Sequence, residues 1–379
     1  MAVERLLPTE EARDLIELTR EIADKVLTPI VDEHERAETY PEGVFATLGA
    51  AGLLSLPHPV EWGGGGQPYE VYLQVLEEIA ARWAAVAVAV SVHSLSCHPL
   101  LAFGTEEQKQ RWLPDMLGGN LIGAYSLSEP QAGSDAAAVA CRATPGDGGY
   151  RINGTKAWIT HGGIADFYNL FARTGEGSRG ISCFLVPRET SGLTFGKPEA
   201  KMGLHAVPTT TAHYDDAFLP EERRIGTEGQ GLQIALSALD SGRLGIAAVA
   251  TGLAQAALDE AVAYAKERTA FGRPIIDHQG LGFLLADMAA AVDSARATYL
   301  DAARRRDAGL TYSRQASVAK LIATDAAMKV TTDAVQVYGG YGYTRDFRVE
   351  RYMREAKITQ IFEGTNQIQR LVISRALAH

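Results

Sequence analysis

The sequence predicts an α+β multidomain protein in which a helical region, a β region and a second helical region follow one another along the chain. Three observations carry this. A length of 379 residues suits two or three domains. Apolar residues recur at helical spacing up to about residue 120 and again from about 226, while short β-branched and aromatic runs between Gly-rich turns fill the interval. Helix, strand and helix arranged in blocks favour segregated domains over a repeated βαβ fold, and no internal repeat is present at solenoid periods.

The N-terminal domain, residues 1–120, opens with an apolar face traced by Leu15, Ile16, Leu18, Ile22 and Val26. "YPEG" and "HPVEWGGGGQP" separate its helical pieces, and "YEVYLQVLEEIAARWAAVAVAV" marks further helix. Residues 83–105 lack Asp, Glu, Lys and Arg, but they contain two His, three Ser and Pro99. That composition predicts a helix buried on all sides and not a membrane span. The middle domain, residues 121–225, shows strand runs ("YRINGTKAWIT", "DFYNLFART", "ISCFLVP", "TTTAHYDDAFLP") broken by "PGDGG" and "TGEGSRG", as in an antiparallel barrel or sandwich. The C-terminal domain, residues 226–379, predicts a helix bundle. It comprises the long Ala/Leu-rich stretch from Gly231, segments at 279–306 and 312–338, and a final helix pair meeting at "EGTN".

Composition excludes several functions. Hydrophobic residues are 46% and charged ones 22%, as in a soluble globular protein. A net charge of −10 argues against nucleic acid as the main partner. Cys97, Cys141 and Cys183 form no CxxC, which argues against structural zinc, thioredoxin chemistry and a disulfide framework. The start "MAVERLLPTEEARD" does not read as a signal or transit peptide, so a cytoplasmic protein is expected. Common motifs fail. "GTEGQG" lacks the third Gly of a dinucleotide loop, and "GLTFGKP" is one residue short of a phosphate loop. "HERAE" lacks the second His of a zinc helix, and His93 and His98 are spaced off one helix face. "SVAK" (317–320) is a lone SxxK, expected on a solvated helix face.

Three segments remain. "AYSLSEPQAGSD" (124–135) supplies hydroxyls at Tyr125, Ser126, Ser128 and Ser134, with Gly133 where backbone can approach a ligand. On its own it reads equally well as a domain linker. "NGTKAWITHGG" (153–163) predicts a strand with Trp158 and Thr160 on one face, suited to a planar heterocycle or simply to a barrel wall. "QIFEGTNQIQR" (360–370) places Glu363 between two helices. Ile358, Ile361 and Phe362 precede it at i, i+3, i+4, and Ile368, Leu371 and Val372 follow.

Together with "GVFATLGAAGLLSLPHPVEWGGGG", "GTEEQKQRWLPDMLGGN", "LDSGRLGIAA", "ERTAFGRPIIDHQ" and "QVYGGYGYTRDF", these segments resemble the acyl-CoA dehydrogenase family over nearly the whole chain. The resemblance implies a helical N-terminal domain, a β-barrel middle domain and a C-terminal four-helix bundle, assembled as a homotetramer that binds FAD. It implies fatty acid β-oxidation chemistry, with FAD-dependent α,β-dehydrogenation of an acyl-CoA and electrons passing to electron-transferring flavoprotein. No metal and no membrane insertion are implied.

By motif match Glu363 is the base that takes the α proton. A helix C-terminus and the apolar neighbours Ile361 and Phe362 are expected to raise its pKa, with Gly364 leaving room for the thioester. Tyr125, Leu127 and Ser128 are expected along the flavin, with Gly133 and Ser134 nearby and Trp158 and Thr160 at its other edge. Thr365 and Gln367 would meet the diphosphate and sugar. Arg268, Phe271, Gln279, Gln336 and Gly340 would reach the flavin of a neighbouring subunit. Ser134, Asp240, Arg243, Phe362 and Gly364 would face the substrate. Either Thr365 or Asn366 caps the last helix, Gln369 completing a box if Asn366 does.

Two positions depart from the family pattern: Ser128 replaces the usual Thr, and His161 the usual Asn and is expected to face solvent. Members that carry their base near "LDSGR" have an acid where this chain has Gly242, which points to short/medium-chain or short-branched-chain types. An acyl-CoA oxidase, a nitroalkane-oxidase-like enzyme and a catalytically silent scaffold on the same fold are the alternatives.

Overall fold

The computed structural model describes residues 3–378; Met1, Ala2 and His379, the outermost residues of the expected first and last domains, lie outside the described residues. The N-terminal third is helical: α1 (Glu10–Ile22), α2 (Val31–Ala37), α3 (Val44–Ala50), α4 (Tyr69–Arg82), α5 (Ala84–Phe103) and α6 (Glu106–Leu117). Thr9 caps α1 through its side chain, and Thr105 caps α6 in a full capping box with Gln108. On α1 Ile16 is buried with Ala12 and Thr19, and Leu15, Ile22 and, just beyond, Val26 pack against the core as expected; Leu18 alone of the expected face turns 39% exposed to solvent. α5 is buried along nearly its whole length, as its composition predicts. It and the long helix α7 (Gly231–Glu267) are apolar enough to cross a membrane by length and composition. In both, most of the apolar window (78% and 72%) is instead buried inside the protein.

The middle region is one eight-stranded sheet, in the order β6-β7-β3-β2-β4-β5-β8 with β1 beside β4. The strands are β1 (Gly123–Ser126), β2 (Arg142–Gly146), β3 (Gly149–Thr160), β4 (Phe167–Arg173), β5 (Ile181–Pro187), β6 (Leu193–Phe195), β7 (Thr209–Pro220) and β8 (Arg224–Ile225). The sheet wraps its own core, in which Tyr150, Ile152, Tyr168, Leu170, Phe184 and Val186 are buried together. Pairing is mostly antiparallel, but β1 runs parallel to β4 (Gly123 opposite Phe167) because β1 enters the sheet straight from the helical region.

A short hairpin, β9 (Thr269–Ala270) and β10 (Arg273–Pro274), follows α7, and then come α8 (Gln279–Asp307), α9 (Ser313–Tyr338), α10 (Val349–Thr359) and α11 (Asn366–Leu377). α7, α8, α9 and α10 pack as a bundle, and α4 and α5 lie against α7. Glycines on α7 permit that approach: a Cβ on Gly245 would sit 2.2 Å from Ser91 Oγ of α5. On α11 the buried residues are Asn366 and Gln369, while Leu371 is 41% exposed. The expected apolar face of that helix is therefore replaced by a polar one.

Candidate active site

Glu363 lies beyond the end of α10, in a turn whose backbone is left-handed at Glu363 (φ 55°) and Gly364 (φ 84°). A Cβ at Gly364 would meet Gln369 Nε2 at 2.9 Å, so the turn itself requires glycine there. A non-glycine residue in this region is strained and persists where its surroundings hold it. Here the restraints come from α9 and α11. Buried Lys320 donates from Nζ to the carbonyl of Gly364 and to Asn366 Oδ1, both at 2.9 Å. Thr324 donates to the same Oδ1, and Asn366 Nδ2 donates to Asp325 at 2.7 Å. Gln369 Nε2 donates to the carbonyls of Glu363 and Gly364, and Thr365 accepts from Ile368 N as the cap of α11. The cap is thus Thr365, and Gln369 holds the turn and does not close a box.

The Glu363 side chain points at α7. A Cβ added to Gly242 would fall 2.3 Å from Glu363 Oε2. That oxygen is buried and has no hydrogen-bond partner. Burial pushes the carboxyl up to about 7, against the opposing charges of Arg243 and Lys320. The α7 backbone at Gly242 shields it; of the two apolar neighbours expected to do so, Phe362 packs against the core while Ile361 is 49% exposed. Burial likewise lowers Lys320 to about 7, with Glu363 and Asp325 acting the other way. "SVAK" was expected on a solvated face; instead Lys320 is fully buried beneath the turn that carries Glu363. The available signal was its spacing, since Lys320 stands four residues from Ala316 and from Thr324 on the small-residue stripe that α9 buries. Arg243 is also buried, with Nη1 2.5 Å from Asp240 Oδ1, and Ser313 donates to that same oxygen.

The sheet supplies a facing wall. Ala157 N donates to the carbonyl of Ser128 at 2.8 Å, and Lys156 Nζ donates to the carbonyl of Leu127 and to Glu129. These bonds fasten the 125–129 segment to the strand carrying Trp158 and Thr160. The Tyr125 hydroxyl reaches the carbonyl of Ala235 on α7, and the charge of Glu363 helps raise its pKa after burial. Glu363, 238 positions away in sequence, is therefore close enough for its charge to be felt at Tyr125. Gly133 faces open space and Ser134 is exposed beside it.

His161 is a correction. It is fully buried, not solvent-facing, with Nδ1 3.0 Å from the carbonyl of Gly123 and its ring edge-on to Phe45. The cause is a register shift in the β3–β7 ladder between Lys156 and Ile159, with positive φ at Trp158 (62°) and His161 (65°). The bulge turns Trp158 outward, leaving it 63% exposed, and draws His161 in. Burial lowers His161 to about 4, so it is neutral at pH 7 with Nδ1 protonated toward Gly123.

Arg268, Gly340 and Tyr341 line a separate cleft of about 490 Å³ at the other end of the bundle. Phe271, on the hairpin, is 96% exposed, and Gln279 and Gln336 are exposed as well. A smaller cavity, with about 10 Å³ of open space, adjoins Gly242 between α7, α5, Tyr69 and the end of α8. Of its residues, His58, Tyr69 and Arg306 were not singled out individually from the sequence, and His98 was weighed only as a metal ligand and set aside.

Comparison with known proteins matches three family models in order along the chain. They are the acyl-CoA dehydrogenase N-terminal domain (residues 9–120), middle domain (124–217) and C-terminal domain (229–378). A short-chain specific acyl-CoA dehydrogenase of Clostridium acetobutylicum is 43% identical over 97% of each chain. The solved butyryl-CoA dehydrogenase of Megasphaera elsdenii superposes with a TM-score of 0.97 at 39% identity, covering 99% of this chain and 100% of that one. A chain solved in work titled for the electron transferring flavoprotein of Acidaminococcus fermentans gives 0.96 at 42% identity, covering 99% of both. Matched from end to end at these identities, the chain belongs to the acyl-CoA dehydrogenase family.

Proposed function

We propose that Glu363 takes the α proton of a short-chain acyl-CoA thioester while the β hydrogen leaves as hydride, giving the trans-2-enoyl thioester. The observation that carries this is the Glu363 carboxylate itself: shielded, without a hydrogen-bond partner, raised to about 7, and set against Gly242 opposite the Tyr125 wall. A base with a pKa near the working pH combines ionisation with proton affinity. Arg243 and Lys320 keep the site from becoming a neutral acid outright. The small cavity beside Gly242 and the short-chain relatives support a short acyl group.

The cofactor of this family is FAD, and the chain's residues fit it. Trp158 and Phe271 are large aromatic faces left bare within the chain, and Gly133 borders open space. When bound, FAD supplies the hydride acceptor. Tyr125, Leu127, Ser128, Trp158 and Thr160 would hold the flavin ring, Gly133 and Ser134 would border it, and Thr365 and Gln367 would meet the diphosphate and sugar. Arg268, Phe271, Gln279, Gln336 and Gly340 would meet the FAD of a neighbouring subunit in a homotetramer. Ser134, Asp240, Arg243, Phe362 and Gly364 would contact the thioester. The matched structure whose title names an electron transferring flavoprotein supports that protein as electron acceptor.

The test is anaerobic titration of the purified yellow protein with butyryl-, hexanoyl-, palmitoyl- and 2-methylbutyryl-CoA. Bleaching of the flavin band, strongest with the short thioesters, is expected; absence of bleaching by every thioester overturns the reading.

A further inference from the structure

Among the described residues β1 pairs with β4 alone, so its other edge needs partners that are not a strand. On the β4 side the carbonyl of Ile122 accepts the N–H of Asp166 at 2.8 Å. Backbone groups alternate in direction along a strand, so those of Gly123 point away from β4. There Gly123 N donates to Nδ1 of His93, on α5, at 3.1 Å. Its carbonyl accepts from Nδ1 of His161, just beyond β3, at 3.0 Å. Two imidazoles from different regions of the chain thus satisfy both backbone groups of one residue.

These bonds fix opposite tautomers. His93 accepts at Nδ1 and carries its proton on Nε2, toward the carbonyl of Met116. His161 donates from Nδ1 and keeps a bare Nε2, which is buried without a partner. The polar contribution of the His161 ring is therefore the Nδ1 bond alone. Burial pushes both histidines well below their ordinary value, to about 3 and about 4, so both are neutral at pH 7 and the tautomers persist. Gly123 has no slack either: a Cβ there would sit 2.5 Å from Phe167 Cζ and 2.8 Å from Ser96 Cβ. The His161 backbone is held in turn, its N–H donating to the carbonyl of Pro208 at 3.0 Å.

We infer that His161 is a positioning residue: working against His93, it fixes Gly123 and with it the depth at which residues 125–128 meet the flavin ring. Tyr125 follows Gly123 by two positions, so its backbone groups leave β1 by the same edge. The inference rests on the placement of the flavin against Tyr125, Leu127 and Ser128. What position 161 must supply is an N–H donor two bonds beyond Cβ. Asn carries one at that reach and tolerates left-handed backbone, whereas the amide of Gln stands one bond further out.

FAD titration of the apoprotein, the flavin midpoint potential and the visible spectrum test this in His161→Asn and His161→Gln, with melting temperature recorded alongside. His161→Asn is expected to keep FAD affinity within about twofold of the unaltered protein, with potential and spectrum unchanged. His161→Gln is expected to bind FAD about tenfold more weakly and to shift potential and spectrum, because a buried carbonyl loses its donor and the segment moves. Equal FAD affinity and potential in the two variants overturn the inference, whether both are normal or both impaired. So does a difference confined to melting temperature, which would leave His161 a structural residue only. His161→Ala, smaller and without a donor, takes the place of His161→Gln under the same criteria if that variant does not fold. None of these readouts uses a thioester. Bleaching of the unaltered protein by butyryl-CoA therefore tests the dehydrogenase reading separately, and its failure leaves position 161 to be decided by the FAD measurements; no FAD binding by the unaltered protein removes both.

Discussion

Glu77 and Glu363 are two buried carboxylates that the same fold treats in opposite ways. Glu77, on α4, is shut inside the helical core with Arg5, Arg296 and the Tyr299 hydroxyl directly on its oxygens. Burial alone would raise its pKa, but those two cations and the hydrogen bonds from Arg296 and Tyr299 hold it below the ordinary glutamate range. Glu363 is half-buried with its Oε2 enclosed, yet its two neighbouring cations are engaged with Asp240, Gly364 and Asn366, and that oxygen has no partner. Burial therefore wins and the carboxyl rises. A satisfied carboxylate is a structural tie, and an unsatisfied one is available to take a proton. A raised pKa alone does not mark the base, since Glu355 also rises, to about 8, against Arg351. What sets Glu363 apart as the proposed base is its place against Gly242, near enough to Tyr125 for its charge to be felt there.

The comparison breaks most sharply at Glu363→Gln, expected to retain FAD and bind substrate while losing flavin reduction by about 10³- to 10⁴-fold; a near-normal stopped-flow rate would move the base elsewhere. Glu77→Gln is expected to cost about 3 kcal/mol of stability by removing the buried acid that Arg5 and Arg296 share, each keeping only its second partner, Glu78 or Asp293, with activity per folded molecule preserved. Chemical denaturation alongside thioester titration checks both halves. Gly242→Ala, whose Cβ overlaps Glu363 Oε2, is expected to displace the base and lower the rate about 10²-fold without loss of the flavin spectrum. An unchanged rate would show that the turn yields.

The smallest effects are in pH. The folded Glu363 titrates above its ordinary value of 4.5, so the base form, and with it the rate, falls as pH drops through about 7. Its contribution to stability runs the opposite way: it is fully present below 4.5 and lost as pH rises through about 7. Glu77, lowered in the fold, contributes stability above its ordinary value and loses it on acidification. Lys320→Met removes a charge that favours ionised Glu363, so the rate midpoint is expected to move up in pH; a downward shift would contradict the assigned contact.

Much of this was legible in the sequence because local pattern and burial agree. The uncharged stretch at 83–105 became a buried helix, and "ISCFLVP" became β5 with six of its seven residues buried. The readings that failed share one cause. Lys320 and His161 are polar residues whose partners come from distant segments, so their residue type masks their burial. The bulge that draws His161 inward is set by pairing with β7, fifty residues on, and the desolvation of Glu363 by α7. The apolar face of α11 was displaced too, because tertiary packing chooses which stripe is covered.

The 2.3 Å separation between a would-be Cβ at position 242 and the Glu363 carboxylate makes the two positions tenants of one volume. Either the bundle helix or the C-terminal turn can project an acid toward the substrate, but not both. A lineage moving its base from one to the other must therefore vacate the first place before the second can be filled, passing through a glycine at both. Across related chains, any residue larger than glycine at 242 should appear only where 363 has ceased to be glutamate.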